Sequence, residues 1–423
     1  MKAAIGPKDT RASINSQLKI VLVVGDYPPP CGGIADYTDL LGQELVRLGM
    51  DVTVLTTEAE GQERRSHRQG VDIRRVMTKW HLSEIRSILR VIDDTGPETI
   101  LNLMYGGFAI RRRPMFILLP LLLRVLRPGC PVIVTIHEFR THRTRWRAWT
   151  FPMIIAAHGL IFVDEPEREY LLRWTKLKMP RMECIPIASN ISPVPVTRGL
   201  RKLWRERLDI SDDVPVVTFF GGISRQKGLL DLLEAMNSLR REGIQGCLLL
   251  LGRFDPGYIG NEDYEGIVRE AIGEGLSTGW IKFAENCPPT TVSEYLHASD
   301  IVVLPFVRGA RSNNSSILAA TAHGLPVLTT KGIDTPEGLE ERCGVALVPA
   351  GNAGGLAERL KDIILSDEAK TQLKRRALSA ATDVSWSSLA ARTAAFYTSF
   401  VKREARGRVE EDVEHTPDLA RHR

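Results

Sequence analysis

The sequence predicts an α/β chain of two Rossmann-like, doubly wound domains facing a central cleft. Three observations predict it. Short runs of Val, Ile and Leu alternate with helical patterns from Lys19 onward, the signature of a parallel sheet covered on both faces. The β–loop–α–β unit that opens at Ile20 recurs after a Pro-rich stretch near residue 192. Finally, 423 residues exceed the roughly 250–300 that one hydrophobic core accommodates.

The elements follow in order. Residues 1–17 are polar and without periodicity and are expected to be disordered. The first domain spans 18–192. Ile20 to Val24 reads as a buried strand. Tyr37, Leu40, Leu41, Leu45 and Leu48 fall at helical spacing, Gly49 ends that helix, and Val52 to Leu55 is the next strand. Strands are expected at Val71 to Val76, Thr99 to Leu103, Val132 to Ile136, Gly159 to Val163 and Met182 to Pro186. A linker is expected at 193–200, within the Pro-rich stretch that begins SPVPVTRG at Ser192. The second domain, 201–384, repeats the pattern: a strand at Val214 to Phe220, a helix at Leu229 to Arg240, a strand at Cys247 to Leu251, and αβ units at 265–283, 290–304, 316–330 and 344–367. A terminal helix at 385–401 is expected to pack back toward the first domain, and 402–423 is expected to be a disordered tail.

Composition narrows the function classes. With 43% hydrophobic and 25% charged residues, the chain is ordinary for a globular enzyme. A net charge of +5 does not by itself imply nucleic-acid binding. The six cysteines (31, 130, 184, 247, 287, 343) show no C-x-x-C and no zinc spacing, which suits a reducing compartment. The start lacks an apolar signal core, and the longest apolar run, Met115 to Leu123, falls short of the ~20 residues that span a bilayer. The expected location is cytoplasmic, with room for attachment at the inner face of the cell membrane.

Five stretches carry chemical content. PFVRGARSNNSSILAATAHGLPVLTT, from Pro305 to Thr330, places Arg308 and Arg311 before a helix start containing Ser315 and Ser316. Helix-start amides and nearby cations attract anions; an ordinary well-capped helix is the plain alternative. GGISRQKG supplies Gly222, Arg225 and Lys227 between strand and helix, although loop cations are often only solvated. It is neither a P-loop nor a dinucleotide fingerprint. PPPCGGIADY sets Gly32 and Gly33 before a helix, where paired glycines permit positive φ and close approach of a phosphate or sugar; a tight turn without ligand is the alternative. His137 stands at the carboxyl end of VIVTI, the ligand end of such sheets, with Glu138 beside it, and Asn190 occupies the equivalent place one unit later. A structural histidine bonding a loop carbonyl is again possible.

The last stretch, residues 108–150, has nine arginines against one acid. Arg111, Arg112, Arg113, Arg145, Trp146 and Trp149 there suit an anionic membrane surface or a lipid-phosphate acceptor, against the alternative of a solvated basic face. No D-x-D pair exists to hold a metal against a diphosphate, so no metal and no cofactor are expected.

Taken together these motifs resemble glycosyltransferase family four, the retaining, sugar-nucleotide-dependent enzymes of GT-B fold, over about residues 18–401. PPPCGGIADY is similar to its P-P-x-x-G-G-I-x-x-Y opening, VTIHEF to its histidine strand, and IPIASNI to its I-P-x-G-x-N-I turn. FGGISRQKG resembles F-x-G-R-x-x-x-x-K-G, and VPAGNAGGLAERL the P-x-G-D-x-x-x-L-A segment. The resemblance implies that Lys227 stabilises the leaving diphosphate, that His137 lies near the transferred sugar, that Phe283 and Ala284 lie beside the base, and that no metal is needed. The paired glutamates of the family would fall on Arg311 and Ala319, which marks a divergent branch. The implied function is transfer of a hexosyl unit from a nucleotide-diphosphate sugar to a lipid-linked or polysaccharide acceptor, with no nucleic-acid partner. A non-catalytic nucleotide-sugar-binding partner, a nicotinamide-dependent oxidoreductase and a nucleic-acid binder are the alternatives.

Overall fold

A computed structural model describes residues 18–28, 32–106, 113–140, 144–175, 177–254, 263–381 and 384–414, without the side chains of 145, 146 and 402–414. Residues 1–17 and 415–423, expected to be disordered, lie outside the described residues. The chain divides into two compact units, one running to Ile187 and resuming at Trp386, the other spanning Ala188–Ser385.

The first unit contains β1 (Lys19–Val23), α1 (Gly33–Arg47), β2 (Asp51–Thr57), β3 (Arg65–Arg68), β4 (Val71–Met77), α2 (Ile85–Thr95), β5 (Thr99–Tyr105), α3 (Pro114–Leu126), β6 (Val132–Ile136), α4 (Thr144–Ala156), β7 (Gly159–Phe162), α5 (Glu165–Trp174) and β8 (Arg181–Cys184). The strand order is β3-β4-β2-β1-β5-β6-β7-β8. Strands β5, β6 and β7 are buried along their whole length, which is why they read as unbroken apolar runs. All neighbours are parallel except β3 and β4. The sequence pattern misses β3 because RSHR offers no apolar side. It forms an edge held by ion pairs, with Arg65 Nε donating to Asp72 Oδ1 at 3.0 Å.

The second unit contains α6 (Leu200–Arg207), β9 (Val216–Phe220), α7 (Leu229–Arg241), β10 (Cys247–Gly252), α8 (Tyr264–Ser277), β11 (Ile281–Glu285), α9 (Pro289–Ala298), β12 (Ile301–Leu304), α10 (Ser315–Ala322), β13 (Val327–Lys331), α11 (Leu339–Cys343), β14 (Ala346–Pro349), α12 (Ala353–Leu365) and α13 (Asp367–Ala381). Its six strands are all parallel, in the order β11-β10-β9-β12-β13-β14. The Pro-rich stretch expected as a linker is fastened to this unit. Val194 N donates to Ser293 Oγ at 2.9 Å, and Val194 O lies 3.2 Å from His297 Nε2.

The final helix, α14 (Trp386–Glu414), belongs to the first unit. Phe396 and Phe400 cross β7 at Gly159, where a Cβ would come within 2.6 Å of the Phe400 ring. Buried Asn102 of β5 donates to Tyr397 Oη at 2.6 Å and accepts from Thr135 Oγ1 at 3.0 Å. The sequence reading ends this helix at 401 and expects disorder beyond; the helix instead continues to Glu414. KREARGRVEEDVE is charged, but it consists mostly of strong helix formers with no proline, and charge alone does not stop a helix.

Both sheets reverse their direction of growth once. In the first the reversal lies between β1 and β5, and in the second between β9 and β12. Crevices at such reversals, outside the strands' carboxyl ends, are where doubly wound sheets hold ligands.

Candidate functional site

In the second unit the two loops flanking the reversal are GGISRQKG, after β9, and the stretch that begins at Pro305, after β12. They are locked together. Gly228 has φ +68°, and a Cβ there would lie 1.9 Å from Pro305 O, so no other residue fits without moving that loop. Val307 N donates to Gln226 O at 3.1 Å, and Lys227 Nζ lies 4.8 Å above the Phe306 ring. Behind them, Ala310 N donates to Thr330 O at 2.8 Å, and Thr330 Oγ1 donates to Phe306 O at 2.6 Å, holding the stretch to β13. Gly221, at φ +130°, lies across from the start of α10: a Cβ on it would touch Ser316 Cβ at 3.8 Å.

The start of α10 differs from the expected capped helix. The Asn314 side chain makes no hydrogen bond to the first turn; its Oδ1 instead accepts from Arg311 N at 2.7 Å. The first amides are therefore left without a side-chain cap and keep their positive character. Two hydroxyls, Ser312 Oγ and Ser316 Oγ, are buried with no hydrogen-bond partner among the described residues, and Ser316 is only 3% exposed. A buried hydroxyl left unbonded is costly, so a ligand that bonds it gains accordingly. Arg308 is spoken for. Its Nε and Nη2 donate to Asp334 at 2.8 and 3.0 Å, and Arg311, three residues on, is half-buried.

Other predicted residues are arranged less simply. Arg225 leans the opposite way from Lys227, its guanidinium 5.2 Å from the Tyr264 ring of α8. Gly222 is half-buried and has nothing within 4 Å of a hypothetical Cβ. Phe283 lies on the edge strand β11 and packs edge-on against Phe254 at 5.9 Å, so it is not brought to the Lys227 side. Asn190 is half-buried beside Ile191, which joins the core cluster that contains Phe306 and Ile317.

In the first unit, His137 N continues the β5–β6 ladder by donating to Tyr105 O at 2.8 Å. The ring is 4% exposed and stands edge-on to Tyr37 at 4.6 Å, and Tyr37 meets Trp386 at 5.4 Å. Burial pushes the His137 imidazole down to about 3, so it is neutral at ordinary pH. Sequence reasoning missed both aromatic neighbours. Tyr37 was visible as a helix-face residue and as the last residue of PPPCGGIADY, but not as a neighbour of His137, and Trp386 is more than two hundred positions away. The loop after β1 is pinned by Tyr27 Oη donating to Asp39 Oδ1 at 2.6 Å and Arg75 Nη2 donating to Pro28 O at 3.2 Å.

Gly32 and Gly33 correct an expectation. Gly32 has φ −163°, extended backbone open to any residue, and neither glycine adopts positive φ. What both do offer is empty space, with nothing within 4 Å of a hypothetical Cβ.

In the basic stretch, Arg111 and Arg112 lie outside the described residues, as do the side chains of Arg145 and Trp146. Arg113 is exposed at the start of α3, and Trp149 on α4 is 41% exposed. Several of its arginines are structural. Arg127 pairs with Asp93, Nη2 to Oδ2 at 2.7 Å, and Arg147 bonds Tyr170 Oη and Arg140 O. Among the described residues, no group of three or more His, Cys, Asp or Glu is placed to hold a metal, and no helix is long and apolar enough to cross a membrane.

Residues 214–366 match the family described as "Glycosyl transferases group 1", and residues 32–188 match "Glycosyl transferase 4-like domain". The amylovoran biosynthesis glycosyltransferase AmsK of Erwinia amylovora is 30% identical over 139 residues, 32% of this chain and 32% of that protein, so this match spans about a third of that relative. A GDP-mannose-dependent α-(1-6)-phosphatidylinositol monomannoside mannosyltransferase of Mycolicibacterium smegmatis is 25% identical over 333 residues, covering 75% of this chain and 82% of that one. Sucrose-phosphate synthase of Thermosynechococcus elongatus superposes with a TM-score of 0.73 at 20% identity, over 92% of this chain and all of that one. With both units matched by family and the paired-Rossmann architecture shared, the chain belongs to the group 1, family-four-like glycosyltransferases of GT-B fold.

Proposed function

We propose that the chain is a retaining, metal-independent glycosyltransferase that moves a hexosyl unit from a nucleotide-diphosphate sugar to a lipid-linked or polysaccharide acceptor. One observation carries the donor reading. At the sheet reversal of the second unit, Lys227, the uncapped start of α10 and the orphaned hydroxyl of Ser316 belong to two loops locked together. A cation and helix-start amides stabilise the charge that grows on a departing diphosphate. His137, a neutral imidazole, is assigned by family resemblance to the transferred sugar, and retention of anomeric configuration rests on that resemblance too. The acceptor class follows the relatives, one of which is named for amylovoran biosynthesis and another for a phosphatidylinositol monomannoside. The proposed location is cytoplasmic, with peripheral contact at an anionic inner membrane face.

A thermal-shift panel of UDP-, GDP- and ADP-sugars tests this. A ligand at 100 times its Kd stabilises by about 2.7 kcal/mol. One base should therefore stand out, and no shift with any nucleotide sugar at millimolar concentration would remove the donor reading. A second reading, a non-catalytic nucleotide-sugar-binding partner, is favoured by Ala319. This position, where the family carries an acid, is fully buried in an apolar cluster. Release of nucleotide diphosphate in the presence of acceptor separates the two.

A further inference from the structure

The segment that follows β6, His137 to Arg140, is clamped by a helix from the next crossover. Strand β7 pairs with β6, and α5 starts directly after β7. One face of α5 carries Glu167, Tyr170 and Trp174, at i, i+3 and i+7. Glu167 Oε2 accepts from Phe139 N at 2.9 Å and from Arg140 N at 2.6 Å. Phe139, wholly buried, stands edge-on to Tyr170 at 6.3 Å and to Trp174 at 5.9 Å. From α4, Arg147 Nη2 donates to Arg140 O at 2.8 Å, while its guanidinium lies 4.6 Å from the Tyr170 ring and bonds Tyr170 Oη.

The carboxylate is the informative member. Glu167 is 2% exposed, and a buried carboxylate is costly unless hydrogen bonds offset its lost hydration. Asp164 and Glu167 have the spacing of a capping box, yet Asp164 makes no side-chain bond into the first turn of α5. Glu167 serves a neighbouring segment, where charge-assisted bonds are roughly twice as strong as neutral ones. Two of them on consecutive amides fix the two peptide planes that follow Glu138. On the other side, His137 N is tied to Tyr105 O at 2.8 Å, and a Cβ on Gly106 would come within 2.9 Å of His137 Cβ. The backbone of His137 and Glu138 is therefore held from both ends, and with it the directions in which both side chains leave the strand.

We propose that Glu167 is a positioning residue for glycosyl transfer: by holding the amides of Phe139 and Arg140 it sets the orientation of the His137 imidazole and of half-buried Glu138 beside it. The inference rests on the reading that places His137 at the transferred sugar. Glu167 acts only through the segment it holds. Misplacing a group at a reacting centre by about 1 Å can cost on the order of a hundredfold in rate. Because the donor diphosphate is assigned to the second unit, the loss should appear in turnover before it appears in donor affinity.

The test uses the full chain with histidine carbon-13 labelled at Cε1, the His137 resonance being assigned from its loss in His137→Gln. Glu167→Ala should shift or broaden that resonance and lower kcat about tenfold to a hundredfold, with the donor KM within about threefold of the parent's. Glu167→Gln, whose carbonyl oxygen can accept from both amides, should return the resonance toward its parent position and recover most of the rate. Where Glu167→Ala loses its cooperative melting transition, Glu167→Asp, which draws the carboxylate back by one methylene, carries the same expectation. Glu169→Gln, an exposed change on the same helix that breaks only a pair with Arg173, should alter neither readout. A His137 resonance that keeps its position and width in Glu167→Ala overturns the proposal. So does a moved resonance with unchanged kcat, or an equal loss of rate in the Ala and Gln variants. A parent chain with neither turnover nor a donor-induced thermal shift would remove the glycosyl-transfer reading, and the resonance would still decide whether Glu167 holds His137.

Discussion

Lys227→Met is the sharpest test of the donor site, because its structural and catalytic costs separate. The ammonium sits 4.8 Å from the Phe306 ring, an arrangement worth about 0.5–1 kcal/mol at a partly exposed position. Methionine keeps an apolar stem of similar length against that ring, so the stability loss should stay below about 1 kcal/mol. Catalysis has more to lose. Removing one group that meets developing charge costs about 2.7–4 kcal/mol of activation free energy, or 10²–10³ in turnover. The effect should fall mainly on kcat, because charge on the leaving diphosphate grows toward the transition state. The assay is steady-state release of nucleotide diphosphate at saturating acceptor, alongside urea unfolding of both proteins. Lys227→Arg should recover part of the rate, since the charge returns without the same reach. Turnover within threefold of the parent would refute the reasoning, and so would a rate loss no larger than the stability loss.

Three further outcomes follow from the same loops. Gly228→Ala places a methyl 1.9 Å from Pro305 O at φ +68°, and should cost roughly 3 kcal/mol or more in urea unfolding while weakening donor binding. Ser316→Ala removes a hydroxyl that is buried and unbonded in the ligand-free chain, so the apo protein should be unchanged or slightly more stable. Its donor Kd, read from thermal shift, should rise about tenfold, the value of one hydrogen bond to a charged group. Burial pushes the His323 imidazole down to about 4, where Nε2 meets Ser293 Oγ at 2.7 Å and Nδ1 meets Ala319 O at 2.7 Å. Between pH 6.5 and 4 the unfolded chain binds a proton that the folded one excludes, so this contribution is complete above pH 6.5 and lost as pH falls toward 4. It amounts to roughly 3 kcal/mol at most. The slope of stability against pH in that window should be shallower in His323→Gln, and an unchanged slope would exclude His323 as its source.

Much of this fold was legible because its strands are buried on both faces. VIVTI, IVVL and CLLLL are too short for core helices and alternate with helical patterns, which favours buried strands of a parallel sheet. The edge strand RSHR was not legible for the complementary reason. An edge held by Arg–Asp pairs needs no apolar pattern. The candidate site was legible as motifs but not as geometry. GGISRQKG and the stretch from Pro305 announce glycine, cation and helix start, yet only the order β10-β9-β12 shows that they flank one reversal and that Lys227 faces Phe306 while Arg225 turns to Tyr264. Likewise, charge counting assigns both Arg308 and Arg311 to a phosphate. Asp334, 26 residues after Arg308, pairs with that arginine, which no local pattern announces.

The two glycine pairs show how far local chemistry can mislead. Both precede helices, and conformational freedom is the natural reason to expect glycine at each. It holds for Gly221, at φ +130°, and fails for Gly32, which is extended. Gly32 and Gly33 must therefore be justified by what is absent around them, an open approach to the start of α1 that a side chain would obstruct. That argument makes a demand the first one does not. Gly32→Ala should leave folding stability nearly untouched, because an extended residue in open space strains nothing. Any loss it causes must appear in ligand binding or turnover. If Gly32→Ala instead destabilises the fold by more than about 1 kcal/mol in urea unfolding, the glycine is serving the turn and its place beside a ligand has no support.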